Sequence, residues 1–402
     1  MNQTPLTLIV PIRDGEVDPL RRVLEAREDA LKNALARLGT VHYARWTILA
    51  TANSYRAQLA FESNFDGEIE SHIDQLVREL GGLIDEIYRH CEGFSPGANG
   101  QYARKIRVKE IAFYQGAPGR TVKAIADEKA LRAKLVTVLE SGNWVGQSSR
   151  DIHAALQKQV LADPNFAWAN APVEIPGTNW LGLALVGLGL IVLSPLLLLW
   201  ALYLQFFHEL RDPPGTITPN DVSDTQSAAY VRLEDFSYQN QFSQIMEMKP
   251  SLARIVTVKG FFLLTRTLVK VLFVHGQLMG IPTIHFARWV LLDRDKRMLF
   301  FSNFDGSWRQ YLGDFIDKSG WGLNGIFGNT KTFPRIWFIF FKGAYDEMHF
   351  LGWSRSTQIP TQVWYAAAVD QSIKNINDNT MIRNDLSKSL DERGARLFLS
   401  RL

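Results

Sequence analysis

Two pairs of stretches decide how this chain is read. Val41-His42-Tyr43-Ala44-Arg45-Trp46 is followed by Ser63-Asn64-Phe65-Asp66-Gly67, and Ile284-His285-Phe286-Ala287-Arg288-Trp289 is followed by Ser302-Asn303-Phe304-Asp305-Gly306. Matched blocks in the same order mark an internal duplication, which is the first organisation to look for in a chain. A weaker match pairs Phe113-Tyr114-Gln115-Gly116-Ala117 with Phe340-Phe341-Lys342-Gly343-Ala344.

Working outward from the first pair, Leu6 to Ile12 is a β-prone run, and Asp18-Pro19 opens a helix with Leu20, Leu24, Leu31 and Leu35 at helical spacing. His42 to Ala50 and Ala57 to Ser63 read as a hairpin around Asn53-Ser54. A helix follows Asp66-Gly67, and Ile111 to Gln115 supplies a fourth strand. In the second copy the same order reads Ile255 to Val258 as a strand and Gly260 to His275 as a helix. The hairpin Ile284 to Leu292 with Met298 to Ser302 comes next, then a helix through Trp308, Tyr311 and Phe315, then a last strand, Trp337 to Phe341. Each copy is β-α-β-β-α-β, a ferredoxin-like unit. The expected fold is α+β, with two ferredoxin-like repeats packed as a pseudo-dimeric barrel plus a membrane-inserting helical hairpin.

The expected boundaries are 1–122 for repeat one, 123–179 for a helical extension and linker, and 180–207 for an apolar hairpin. A polar linker at 208–250, repeat two at 251–359 and a tail at 360–402 complete the chain. With 21% charged and 46% hydrophobic residues, the chain has the composition of a protein with a buried core. A net charge of +3 does not point to a nucleic-acid partner. The lone Cys91 cannot form an intrachain disulfide, and no basic-then-apolar leader opens the sequence, so the folded parts are expected to face the cytoplasm.

Trp180 to Phe207 carries no charge and is long enough to be a membrane segment. Ser194-Pro195 divides it into two arms of about 18–21 Å, each short of a hydrocarbon core of about 30 Å. A re-entrant hairpin in one leaflet is therefore expected, because a single span would separate the two repeats; the alternative is a kinked single span, with the repeats pairing between chains. The lipid bilayer is the expected partner, together with a lipophilic small molecule. The apolar Phe261-Phe262-Leu263-Leu264, with Arg266 and Lys270, reads equally as an interfacial helix or a buried one.

The repeated blocks also supply the candidate chemistry. Antiparallel pairing brings the His block and the Ser-Asn block to one end of each hairpin, pairing His42 with Phe65 and His285 with Phe304, and placing Arg45 opposite Glu62 and Arg288 opposite Phe301. His42 and His285 then point away from the arginines' face unless a bulge reverses the parity. Imidazole moves protons or ligates a metal, and guanidinium binds anions. The structural reading is equally concrete: Asp66 and Asp305 cap the helices they precede, and Arg45 pairs with Glu62 across strands. His90-Cys91, and His349 beside Asp346 and Glu347, are weaker ligand candidates. Phosphate-loop, dinucleotide, His-Glu-x-x-His and nucleophile-elbow motifs are absent from the sequence.

The paired units resemble the dimeric α+β barrel superfamily, which includes chlorite dismutases and dye-decolorising peroxidases as well as non-catalytic binding proteins. Peroxidases of this group carry Gly-x-x-Asp-Gly. Here the comparable positions read Ser302 to Gly306 and Ser63 to Gly67, with serine in place of the leading glycine. Together with the apolar segment, which would attach the protein to the bilayer and give it a lipophilic substrate, the resemblance implies a haem-type oxidoreductase, with His285, Arg288 and Asp305 as catalytic candidates and His42, Arg45 and Asp66 as their counterparts. The alternative is a non-catalytic lipid-binding or scaffold protein at the membrane surface.

Overall fold

A computed structural model describes residues 2–402 except 51–54, 176, 224–227, 229, 231–233, 235–236, 273–277 and 279. The Asn53-Ser54 turn and the expected helix end at His275 lie outside the described residues.

The chain is α+β with two four-stranded antiparallel sheets. In the first half, β1 (Gln3–Pro11), α1 (Val17–Ala26), α2 (Glu28–Leu38), β2 (Val41–Leu49), β3 (Gln58–Asp66) and α3 (Ile69–Tyr88) lead through α4 (Asn99–Lys105) to β4 (Ala112–Gln115). Helices α5 (Val122–Ser141) and α6 (Ser149–Leu161) follow, then the apolar α7 (Trp180–Leu204). The second half runs β5 (Gln239–Glu247), α8 (Leu252–Val271), β6 (Ile284–Leu292), β7 (Arg297–Asp305) and α9 (Trp308–Phe327). It ends with the short hairpin β8 (Ile336–Trp337) and β9 (Phe341–Lys342), α10 (Glu347–Thr357), β10 (Val363–Ala366), α11 (Ile373–Leu386) and α12 (Glu392–Leu399).

The hairpins β2–β3 and β6–β7 stand where the alternating pattern places them, and Arg45↔Glu62 and Arg288↔Phe301 are direct partners. Four expectations fail. The strand expected at Ile255 to Val258 is helical: Ser251 Oγ accepts the Ala253 N–H at 3.1 Å, and Val258 and Phe262, one turn apart, are both buried against the second sheet. The first strand of the second half lies earlier instead, at β5, inside the expected linker. Its polar Gln239, Gln241 and Ser243 are buried, so a structural strand reads as a solvated loop.

Third, each sheet borrows its fourth strand. The sheet orders are β1-β3-β2-β10 and β4-β6-β7-β5. The strand β4 of the first half pairs with β6, and β10 from the expected tail pairs with β2. Phe113 opposite Arg288 therefore corresponds to Trp364 opposite Arg45, not to Phe340. Trp337 to Phe341 is no fourth strand but part of the separate β8–β9 hairpin. Fourth, α7 continues through Pro195 as one helix, so there is no re-entrant turn at Ser194-Pro195.

Alternation sets the layers. Trp46, Ile48 and Phe61 face α1 to α3, and Trp289 and Phe300 face α8 and α9. The opposite faces meet each other, where Ile9, Leu49 and Ala60 share a core with Val290, Leu292, Leu299 and Phe301. Leu131, Leu135, Leu156, Ile382 and Phe398 join α5 and α6 to α11 and α12.

A chain stopped at Pro360 should lose cooperative unfolding, because the β2 edge loses its partner and α5 loses α11. A denaturation profile as sharp as that of the full chain would show the tail to be an appendage.

Candidate functional site

The facing sides of β2 and β6 carry Tyr43, Arg45, Thr47, Leu49 and Phe286, Arg288, Val290, Leu292 at a period of two. Each run passes from an aromatic ring through a guanidinium and ends on leucine, by way of Thr47 in the first and Val290 in the second.

The guanidinium groups cross between the sheets. Arg45 Nη2 donates to Ser302 O at 3.0 Å and to Asn303 Oδ1 at 2.6 Å, and its Nη1 reaches Gln241 Oε1, Phe242 O and Ser243 Oγ, each at 3.0 Å. Arg288 Nη2 donates to Ser63 O at 2.8 Å and to Asn64 Oδ1, while its Nη1 reaches Leu6 O at 2.7 Å and Thr7 Oγ1 at 2.9 Å. Each arginine thus holds the Ser-Asn pair of the opposite half, not of its own. Glu62 serves both cations: Oε2 lies 3.0 Å from Arg45 Nε, misaligned for a hydrogen bond, and Oε1 lies 3.7 Å from Arg288 Nη2. The second half has Phe301 in this place, with Arg45 5.1 Å over its ring. Burial lowers the Arg45 pKa to about 10 against the pull of Glu62, and lowers that of Arg288 as well.

The aspartates also bridge. Asp66 Oδ1 lies 3.0 Å from His42 Nε2, and its Oδ2 accepts the Val122 N–H at 2.8 Å. Asp305 Oδ1 lies 2.7 Å from His285 Nε2, and its Oδ2 accepts the Ile373 N–H at 2.8 Å. The carboxylates therefore cap α5 and α11, not the helices they precede, which corrects the expected capping. Gly67 and Gly306 turn the chain away at φ +114° and +84°, where a side chain is strained.

A bulge at each histidine shifts the register, so Val41 pairs with Phe65 and Tyr43 with Asn64, and Ile284 with Phe304 and Phe286 with Asn303. His42 therefore does not pair with Phe65, nor His285 with Phe304. The extra residue leaves His42 beside Tyr43, and His285 beside Phe286, on one cavity of about 140 Å³. Ring centroids of His42 and Phe286 are 5.3 Å apart, and those of Tyr43 and His285 5.5 Å. The first turns of α5 and α11 and the alanines Ala117, Ala367 and Ala368 form the walls. Lys129 and Asp370, paired and half exposed, stand at its edge.

Of the six candidates, the histidines line the cavity, the aspartates hold them from behind, and the arginines are enclosed between the sheets. A carboxylate only accepts, so each Nε2 carries its proton toward aspartate, and a neutral ring presents Nδ1 as an acceptor. Among the described residues neither Nδ1 has a hydrogen-bond partner. Gln3 also lines the cavity; its Nε2 donates to Arg120 O at 2.7 Å, and its buried Oε1 has no partner among the described residues.

The lesser candidates separate from this site. Cys91 is buried, and burial lifts its thiol to about 12. His90 pairs with Glu16 at 2.5 Å and His349 with Asp346 at 2.8 Å. Among the described residues no three His, Cys, Asp or Glu side chains cluster as a metal site. A haem does not fit the cavity, because a void of about 150 Å³ takes a single benzene ring and drug-sized pockets run to about 300–1,000 Å³. No family model, curated protein or solved structure matches the chain.

Gln3, Tyr43, Lys129 and Asp370 were not singled out in the sequence. The bulge that brings His42 and Tyr43 to one side has no local signal, and the helices that wall the cavity come from distant segments.

Replacing Glu62 with Gln removes the one buried carboxylate that two guanidinium ions share; Arg288 keeps only the attraction of Glu110, and Arg45 keeps no carboxylate. The expected loss is about 3–5 kcal/mol in urea unfolding, and a loss below about 1 kcal/mol would show that neutral acceptors alone hold both cations. His72 offers a pH test. Its Nε2 lies 3.0 Å from Ser63 Oγ and its ring stacks on Phe65, as Tyr311 does with Ser302 and Phe304. Burial drops His72 from 6.5 to about 3, so the unfolded chain binds the extra proton between these values and stability falls as pH falls through that window. Wild type should lose about 2 kcal/mol more than His72→Tyr between pH 7 and pH 5, and parallel profiles would contradict this.

Proposed function

We propose that this chain is a membrane-attached tandem α+β barrel protein that binds a small, hydrogen-bond-donating ring compound in the junction cavity, with His42 and His285 as proton acceptors. In this reading the two halves are ferredoxin-like units whose fourth strands are exchanged, and the reciprocal arginines close the barrel. The observation that carries it is the convergence of two aspartate-oriented imidazoles on one cavity. With Gln3 Oε1 they offer three acceptors, and among the described residues none of these has a partner. Acceptors select a ligand that donates, and the hydroxyl of a phenol or a small alcohol supplies one such donor, to one of the three at a time. Alanine and isoleucine walls suit its apolar body, and a cavity of about 140 Å³ limits it to one ring. Membrane attachment rests on α7, which is long and apolar enough to enter a bilayer.

The chemistry open to this site is proton transfer: Nδ1 takes the ligand's proton while aspartate stabilises the resulting imidazolium. Each carboxylate is itself held by a helix N-terminal N–H, which keeps both rings in register. Calorimetric titration with phenol, and with benzene as its isostere lacking the donor, tests the reading. Wild type should prefer phenol about fivefold to tenfold, the equivalent of roughly one hydrogen bond. His42→Phe with His285→Phe should abolish that preference. Absence of saturable phenol binding, or equal affinity for both compounds, would remove the proposal.

A further inference from the structure

We propose that α7 does not cross the bilayer but lies lengthwise in one leaflet, strapped along α8. This rests on the reading that the chain is membrane-attached. Both ends of α7 are fastened to that one neighbouring helix. At its start, the Asn179 N–H donates to Val271 O at 2.9 Å, and a Cβ on Gly182 would meet Val271 Cγ1 at 2.9 Å. At its end, Trp200 Nε1–H donates to Thr257 Oγ1 at 3.0 Å, and Ala201 and Leu204 pack with Ala253. Gly182 to Ala201 is about 28 Å of helix, and Val271 back to Ala253 is about 27 Å, so the two run side by side in opposite directions.

The far end is locked further. The Phe338 N–H donates to Gln205 Oε1 at 2.7 Å. Buried Glu209 holds Lys249 at 3.1 Å, Arg254 at 2.5 Å and the Ile336 N–H at 3.0 Å. The strap itself cannot share the hydrocarbon. Helix α8 carries Arg254, Lys259, Arg266 and Lys270, and it buries Val258 and Phe262 in the core of the second sheet. Both ends of α7 are thus held at the same face of the folded body, which a spanning helix does not allow.

Between its fastened ends α7 is exposed from Leu190 to Leu199, with no charged residue. The surroundings that suit this stretch follow from Ser194-Pro195. Proline has no N–H, so the Ile191 carbonyl loses its helical donor. Ser194 Oγ–H donates to that same carbonyl at 2.7 Å. Water would satisfy an exposed carbonyl, whereas hydrocarbon requires an internal donor. The patched carbonyl therefore points to acyl chains as what covers the helix. Tyr203, Phe206 and Phe207, with Trp337 and Phe341 from the β8–β9 hairpin, are exposed beside its foot, as a rim of rings at head-group depth would be.

Depth measurement on the full chain decides the matter. Nitroxides are placed singly on one face of α7 through Leu185→Cys, Val192→Cys, Leu196→Cys and Leu199→Cys, all exposed positions, with Cys91 left buried, in vesicles of phosphatidylcholine and phosphatidylglycerol. Oxygen and nickel-chelate accessibility should give one depth for all four sites, within about 4 Å and short of the midplane. A depth that changes by about 1.5 Å per residue through the midplane overturns the in-plane arrangement and leaves membrane attachment standing. Failure of the unlabelled protein to float with the vesicles overturns attachment itself. Spin–spin broadening without lipid exposure would show that a second copy covers α7, and would overturn the proposal too. Ser194→Ala should lower vesicle partition at least about fivefold, and unchanged partition would overturn the inference from the patched carbonyl.

Discussion

Two guanidinium groups passing each other between the sheets, with one carboxylate between them, hold the rest of this molecule in place. Arg45 and Arg288 each bind a backbone carbonyl and an asparagine of the opposite half. Neither sheet can shift along the other without breaking charge-assisted bonds that no water would replace. The register they impose aligns the two bulges, and the bulges bring both imidazoles to one cavity. The aspartates complete the weave by tying each sheet to a helix that follows the other sheet's borrowed strand. Most of the repeated block thereby acquires a mechanical reason to be repeated.

The symmetry is incomplete where chemistry would need it to be. Tyr43 stands opposite Phe286, and the Tyr43 hydroxyl donates to Gln239 Oε1 at 2.9 Å. Gln239, the counterpart of Gln3, has its amide occupied on both sides, whereas Gln3 keeps a free acceptor. The Tyr43 side of the cavity is therefore satisfied, and the Gln3 side is not. Glu62 facing Phe301 is a second asymmetry, and it decides which sheet supplies the shared negative charge.

Much of this was legible in the chain. The hairpins show period-two alternation with turn residues between, and the repeated His and Asp marked the partners that do meet. What was hidden depends on long-range pairing. Strand β5 buries glutamine and serine because an arginine from the other half reaches them, so its sequence is that of a loop. The exchange of β4 and β10 leaves no local trace, since an edge strand looks the same whichever sheet receives it. Ser194-Pro195 departs from its sequence pattern for a different reason: proline does disrupt the helix ladder, but the preceding serine repairs the carbonyl it orphans. The arginine pairing was expected within each half because Arg45 and Glu62 are direct neighbours. The crossing bonds to Asn303 and Asn64 need both sheets at once.

The borrowed strands also set an order of events on the ribosome. The first sheet takes its last strand from Val363–Ala366, so β2 keeps an open edge while more than three hundred further residues are made. Helix α7 emerges within that interval, before β5 and β7 exist to receive Arg45 and the first sheet. An apolar helix that reaches a lipid surface early would hold the half-made chain there, keeping an unpaired strand away from other nascent chains during the wait.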